Sequence, residues 1–422
     1  MYVKKVALFT TFFEATSGYS LIGVAETQLR MLLDHGYDPV VLVQKNFQEP
    51  DAPSLWRKEV LDIRPVIPSL HLNEGTAKNF ENRVGQIQKA LEETLEGVDV
   101  CITHDIIFQS FYKEHNWAVR KYAETRPDLL WLHWIHSCPS GGGRSAYPDN
   151  CRHIPPPGYI IYPNASDIGM VCRAYNLTGQ EWRAITNRSG HAIDPMAIWP
   201  YDGLTKDLVG KCGLINGDVA AVYPVRLDKG KQPEKIIRLL SGVQKLGYDP
   251  RMLVIDWQSA GDRFQKYIDE LLKLADNLGL SGRVNFTSRL DDRCSQGVPR
   301  QVVMELMDLS NVYIHPSRIE TYSLTVHEAM LRGCLCVLNH DLPVMRELWG
   351  ENAIYCDFES DRTSRDYQPS EQAFWDDEAA RLMAELKQNR AAMAKTTARK
   401  EWTPEALWKE FAPLLAKTPV GA

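Results

Sequence analysis

The chain has 422 residues, 44% apolar and 24% charged, a globular composition that excludes disorder, collagen-like repeats and coiled coil. At about 150 residues per domain this length suggests two or three domains. The 48 basic and 54 acidic side chains leave a net charge of −6, so no dominant nucleic-acid footprint is visible.

No apolar run reaches the ~20 residues needed to cross a bilayer. Residues 6–13 follow Lys4 and Lys5, but Glu14 ends the run and no small-residue cleavage site follows, so it reads as a buried first strand. The nine cysteines show no zinc spacing, and the reading is reduced thiols in a cytoplasm. Cys334 and Cys336 stand two apart in an apolar run, where alternate residues of a strand face opposite ways. They read as core filling.

The run 6–11 reads as a strand covered on both faces. Val24, Leu29, Leu32 and Leu33 then recur at helical spacing, His35-Gly36 ends that helix, and 40–43 is a second buried strand. This β-α-β unit predicts parallel strands joined by a right-handed crossover. Helices over 78–96 and 108–125 precede strands over 98–103 and 129–135. Residues 137–163 carry three consecutive glycines and three consecutive prolines and read as an irregular loop of functional interest. A helix over 168–175 and a short strand over 182–186 follow.

Around 198–203 the alternation breaks and begins again. Strands are expected over 219–223, 252–255, 284–287, 312–315 and 335–338. Helices are expected over 233–246, 263–278, 302–308, 324–332 and 342–348. Two such sets imply two doubly wound α/β domains divided near residue 200, with ligands beyond the carboxyl ends of the strands in a cleft between facing domains. The tail is helical, and Thr403-Pro-Glu-Ala opens a last helix with Leu407, Trp408, Phe411 and Leu415 as its apolar stripe.

The strongest chemical signal is 317–333, which follows a strand and runs into a helix. Glu320 precedes the helix and Glu328, eight residues on, lies inside it. Free N–H groups near Ser323, Leu324 and Thr325 would favour an anion at the helix start. On spacing alone, a structural role is equally open: Glu320 as a cap and Glu328 paired with an arginine. Arg226 and Lys231 form the second signal, at another strand end of the same domain. Arginine offers phosphate a fork of donors and lysine a mobile charge.

Together these residues resemble the large family of retaining, nucleotide-sugar-dependent glycosyltransferases of the GT-B fold, marked by a Glu-x7-Glu motif and known as glycosyl transferases group 1. The resemblance covers nearly the whole chain and is most specific over 317–337. It implies an N-terminal Rossmann-like acceptor domain over 1–200, joined by a C-terminal helix at 403–418 with Trp402 and Trp408 in that region. It also implies a donor domain over 201–402. The implied donor is a UDP- or GDP-sugar such as UDP-glucose. Arg226 and Lys231 would neutralise its diphosphate, the amides of Ser323, Leu324 and Thr325 would hold the distal phosphate, and Glu328 the ribose. Glu320 would contact the sugar beside its reacting carbon and His136 would reach it from the first domain. Fixed donors at the leaving phosphate and a carboxylate near the anomeric carbon both favour the transition state.

The sequence departs from the family at Ser323, Asp256 to Gln258 and Ser288, where glycines are usual. Only Gly18 with Tyr19 stands for the paired glycines after the first strand. Gly18, Tyr19, His104, Asp105 and Trp134 are the acceptor-side candidates, with the loop 137–163 as the acceptor-shaping element. Read without the resemblance, His136 is first a satisfied core histidine, and His104-Asp105 is similarly ambiguous. No Asp-x-Asp motif is present, so no metal and no further cofactor is expected. The acceptor is read as the hydroxyl of a saccharide or small molecule. Three alternatives stay open: transfer to hydroxymethylated bases of DNA, as resembling enzymes of bacterial viruses do, sugar-nucleotide epimerisation, and a non-catalytic binding protein. For DNA, Arg144, Arg152, Arg173, Arg183 and Arg188 would line the groove, although residues 1–200 hold 19 basic and 22 acidic side chains.

Overall fold

A computed structural model describes residues 4–15, 20–50, 55–69, 79–107, 112–136, 156–175, 177, 179, 181–192, 200–256, 262–320, 322–359, 372–401 and 403–419. Gly18, Tyr19, Trp402 and the greater part of the 137–163 loop lie outside the described residues. The chain divides into two compact units, Met1–Asp194 with Trp402–Ala422, and Pro195–Glu401.

The first unit holds β1 (Lys5–Phe9), β2 (Asp38–Gln44), β3 (Asp62–Ile67), β4 (Val100–His104), β5 (Leu130–Trp134), β6 (Tyr159–Tyr162) and β7 (Thr186–Arg188). They form one parallel sheet in the order β3-β2-β1-β4-β5-β6-β7. Both faces are covered, which is why β1 is continuously apolar. Val6 and Leu8 point into one core, and Ala7 and Phe9 into the other. The last helix, Pro404–Leu415, packs Leu407, Phe411, Leu414 and Leu415 into the first of these cores. Its Thr403 caps it as read, accepting from Ala406 N at 3.3 Å.

The second unit holds β8 (Val219–Val225), β9 (Pro250–Asp256), β10 (Val284–Phe286), β11 (Val312–His315), β12 (Leu335–Asn339) and β13 (Ile354–Cys356). Their order is β10-β9-β8-β11-β12-β13, again all parallel. Strand order reverses between β1 and β4 in one sheet and between β8 and β11 in the other. Ligands of such sheets bind outside the carboxyl ends at that reversal. Two doubly wound parallel sheets, with the final helix belonging to the first unit, are the GT-B architecture.

Several elements differ from the sequence reading. β3 and β13 were not anticipated: Pro65 interrupts the first and the second has three residues. Helix Gly203–Cys212 is likewise absent from that reading, whereas Arg390–Glu401 lies within the tail read as helical. Residues 181–185 are helical and the strand starts only at Thr186, where pairing with Ile160 becomes possible. β6 lies inside the span read as irregular. Its approach to β5 requires Gly158, with φ +104°, where an added Cβ would sit 2.5 Å from Trp131 O. Among the described residues no helix is long and apolar enough to cross a membrane.

Helix Pro233–Lys245 packs on helix Gln372–Gln388 through Gly242, whose added Cβ would lie 2.7 Å from both Ala379 Cβ and Trp375 O. Neither atom ends a flexible side chain. Gly242→Ala is therefore expected to destabilise the chain by about 1–3 kcal/mol, read as a lower urea midpoint at unchanged m-value.

Candidate functional site

β8 and β11, neighbours at the reversal, deliver the motif residues of the second unit. After β8 a short turn, Lys229–Lys231, is capped by Asp228, which accepts from Gly230 N. After β11 the segment 316–320 runs alongside that turn, with Arg318 N donating to Gly230 O at 2.8 Å. Lys231 Nζ thereby comes to 3.5 Å from Glu320 Oε2 and 3.4 Å from Ser317 Oγ. Two residues from signals 89 positions apart thus meet.

His315 adds a third member that sequence reasoning missed. It is the last residue of β11, buried, with Nε2 3.5 Å from Glu320 Oε2. Burial pushes the imidazole below its ordinary pKa, against the pull of the Glu320 carboxylate. Its Nδ1 lies 3.5 Å from the Tyr313 hydroxyl, which donates to Thr325 Oγ1 at 2.8 Å. Ser323 Oγ lies 3.1 Å from the same Thr325 oxygen. A polar chain therefore runs from Lys231 through Glu320, His315 and Tyr313 to the start of helix Leu324–Leu331.

Ser323 is the N-cap of that helix, with φ +58° and no side-chain capping bond. The left-handed region favours glycine, which accounts for the glycine usual at this place. The first amides of the helix have no intrahelical partner, so Ser323, Leu324 and Thr325 offer the expected donors. Leu324 itself is 65% exposed.

The remaining candidates are less closely gathered. Arg226 is exposed, 3.6 Å from Asp228. Glu328 is paired with Arg300, the alternative that spacing alone left open. Asp256, in place of a glycine turn, is buried and accepts from Thr287 Oγ1 and Ser288 N.

In the first unit, His104 and His136, read as separate candidates, are bonded to one another. His104 Nδ1 lies 2.8 Å from His136 Nε2, and His136 Nδ1 lies 2.9 Å from His191 Nε2. Asp105, at φ +60°, accepts from His136 N and donates its own N–H to Trp134 O. Burial lowers the pKa of His104 to about 3 and that of His136 to about 2, the neighbouring imidazoles adding to the effect. Trp134 requires correction as an acceptor-side residue: it is 1% exposed and packs edge-on against Phe411, 5.3 Å between centroids. Alternation along β5 points it into the core. Gly18 and Tyr19 lie outside the described residues.

Residues 211–364 match the family model of glycosyl transferases group 1. No curated protein matches the chain in sequence. Among solved structures it is similar to HepE of Anabaena in complex with UDP-glucose, at 14% identity over 98% of this chain and 99% of that one, TM-score 0.38. It is also similar to sucrose-phosphate synthase of Thermosynechococcus elongatus, at 15% identity over 98% of each chain, TM-score 0.38.

His133 is also buried; its Nε2 meets Pro157 O at 2.7 Å and its pKa is lowered to about 3, chiefly by burial. Unfolded histidine takes up its proton near pH 6.5, whereas this folded one refuses it until about pH 3. Stability held above pH 6.5 is thus lost as pH falls, by about 2 kcal/mol per such imidazole at pH 5. Urea midpoints between pH 8 and 5 check this, and His133→Asn is expected to flatten the fall.

Proposed function

We propose, on the premise that residues 211–364 belong to glycosyl transferases group 1, that the chain moves a sugar from a nucleoside diphosphate to an acceptor hydroxyl with retention at the anomeric carbon. The observation that carries this reading is the meeting of Lys231 with Glu320 beside the uncapped start of helix Leu324–Leu331, at the strand-order reversal of the second sheet.

The chemistry follows from the charges. Cleaving the sugar–phosphate bond leaves negative charge on phosphate, and Lys231, with Arg226 nearby in sequence, supplies cations for it. The amides of Leu324 and Thr325 supply fixed dipoles of the same sign. Positive charge grows at the anomeric carbon, and Glu320 is the carboxylate that would face it. Lys231 and Glu320 balance each other before the donor binds, so neither charge stands alone at the loop. These basic side chains take the place of a bridging metal in this reading. Glu328 would serve the ribose after exchanging Arg300 for it, Arg300 being 77% exposed and weakly held. The first unit, with residues 403–418, would receive the acceptor, a saccharide or small-molecule hydroxyl.

UDP-glucose and a GDP-sugar, tested separately, are expected to raise the melting temperature, since a ligand at a hundred times its Kd adds about 2.7 kcal/mol. Lys231→Ala is expected to weaken donor binding about 10- to 100-fold, the loss of one charge-assisted bond of about 1.5–3 kcal/mol. Glu320→Gln should retain donor binding and lose turnover. Near-normal rates in both variants with every accepted donor would refute the roles given to these residues.

A further inference from the structure

The three imidazoles of the first unit leave a question of proton bookkeeping that has one preferred answer. His136 has both ring nitrogens engaged, Nε2 by His104 and Nδ1 by His191. It therefore has no nitrogen left for a substrate while the chain is intact. The ends of the chain are His104 Nε2 and His191 Nδ1. The first is a buried atom with no partner among the described residues; the second belongs to a half-buried ring.

Three neutral imidazoles carry three N–H protons, and the two links consume two of them. The third must sit at one end. On His104 Nε2 it would be a buried donor without an acceptor, costing about 1–3 kcal/mol, and stranded donors are rarer in proteins than under-used acceptors. On His191 Nδ1 it sits on a ring that is only half-buried. The second arrangement makes every link run one way: His104 Nδ1–H donates to His136 Nε2, and His136 Nδ1–H donates to His191 Nε2.

We propose that His104, His136 and His191 form one proton-ordered chain that holds His191 Nδ1–H as a fixed, uncharged hydrogen-bond donor for an oxygen of the acceptor that the first unit would receive. Its use on an acceptor rests on the transferase reading above; the proton order does not. Burial keeps the imidazoles neutral, so the donor adds direction without charge. The C-terminal helix steadies it. Glu410 accepts from Gly190 N at 3.0 Å and pairs with Arg188, fixing the segment that carries His191. His191 is in this sense a positioning residue for His136 and the hydrogen-bond donor of the set.

The test is long-range proton–nitrogen correlation NMR on the full chain with 15N-labelled histidine, resonances assigned by single His104, His136 and His191 variants. All three rings are expected with the proton on Nδ1. In His191→Gln the amide oxygen replaces Nε2 as acceptor and His136 should keep its Nδ1 proton. In His191→Ala that acceptor is gone and the His136 proton should move in part to Nε2. With the sugar donor saturating, His191→Gln is expected to raise the acceptor KM about five- to tenfold, one neutral hydrogen bond, at nearly unchanged kcat.

A wild-type ring of the three carrying its proton on Nε2 would overturn the proposal. So would an unmoved His136 proton in His191→Ala, or an unchanged KM in His191→Gln. The spectra need no nucleotide sugar, so a chain with the expected protons but no turnover would sink the transferase reading and leave the proton order standing.

Discussion

Two buried amides hold the motif of the second unit in shape. Gln232 Nε2 donates to Pro316 O at 2.6 Å and to Phe358 O at 2.8 Å. Asn339 Nδ2 donates to Ser317 O at 2.9 Å and to Glu359 O at 2.7 Å. These bonds tie the turn after β8, the segment after β11 and the chain after β13 into one piece. Gln232 does this at φ +48° and 2% exposure, a backbone strain of about 1–3 kcal/mol that the surrounding bonds must offset. Without this tie, Lys231 and Glu320 would be long side chains on separate loops.

The tie decides which electrostatic effects matter. The Lys231–Glu320 contact is 3.5 Å long, and such a pair contributes little to stability. Its worth lies in placement, because both side chains converge where strand order reverses and helix amides face outward. Glu328 shows the contrast: its partner Arg300 is mostly exposed, so the pair is readily exchanged. His315 sits between these cases, buried and poised against Glu320, linking the carboxylate through Tyr313 to the hydroxyls at the helix start.

The first unit uses the same device with different chemistry. Carboxyl ends of β4 and β5, and the segment after β7, each bring one histidine to a common line. Asp105 ties the first two ends together through His136 N and Trp134 O. The last helix reaches the third end through Glu410, and its apolar stripe is anchored in the core beneath β1 and β5. Burial of Phe411 alone is worth about 1.5–3 kcal/mol. A helix distant in sequence thus secures the position of His191.

The sequence by itself determined the two alternating sets of strands and helices, because strands buried on both faces must be continuously apolar and helices must show their stripe. It also determined the spacing of Glu320, Ser323 and Glu328, since those residues share one local segment. Elements with weak local pattern were not legible: β3 carries a proline, β6 and β13 are three or four residues long, and residues 181–185 became helix because pairing with β6 starts only at Thr186. Contacts between distant segments were decided only by the tertiary structure. Lys231 against Glu320, Glu328 on Arg300, Trp134 in the core and the line of three histidines all depend on which strand ends stand side by side. Strand order is a property of the whole sheet, and no local run of residues encodes it.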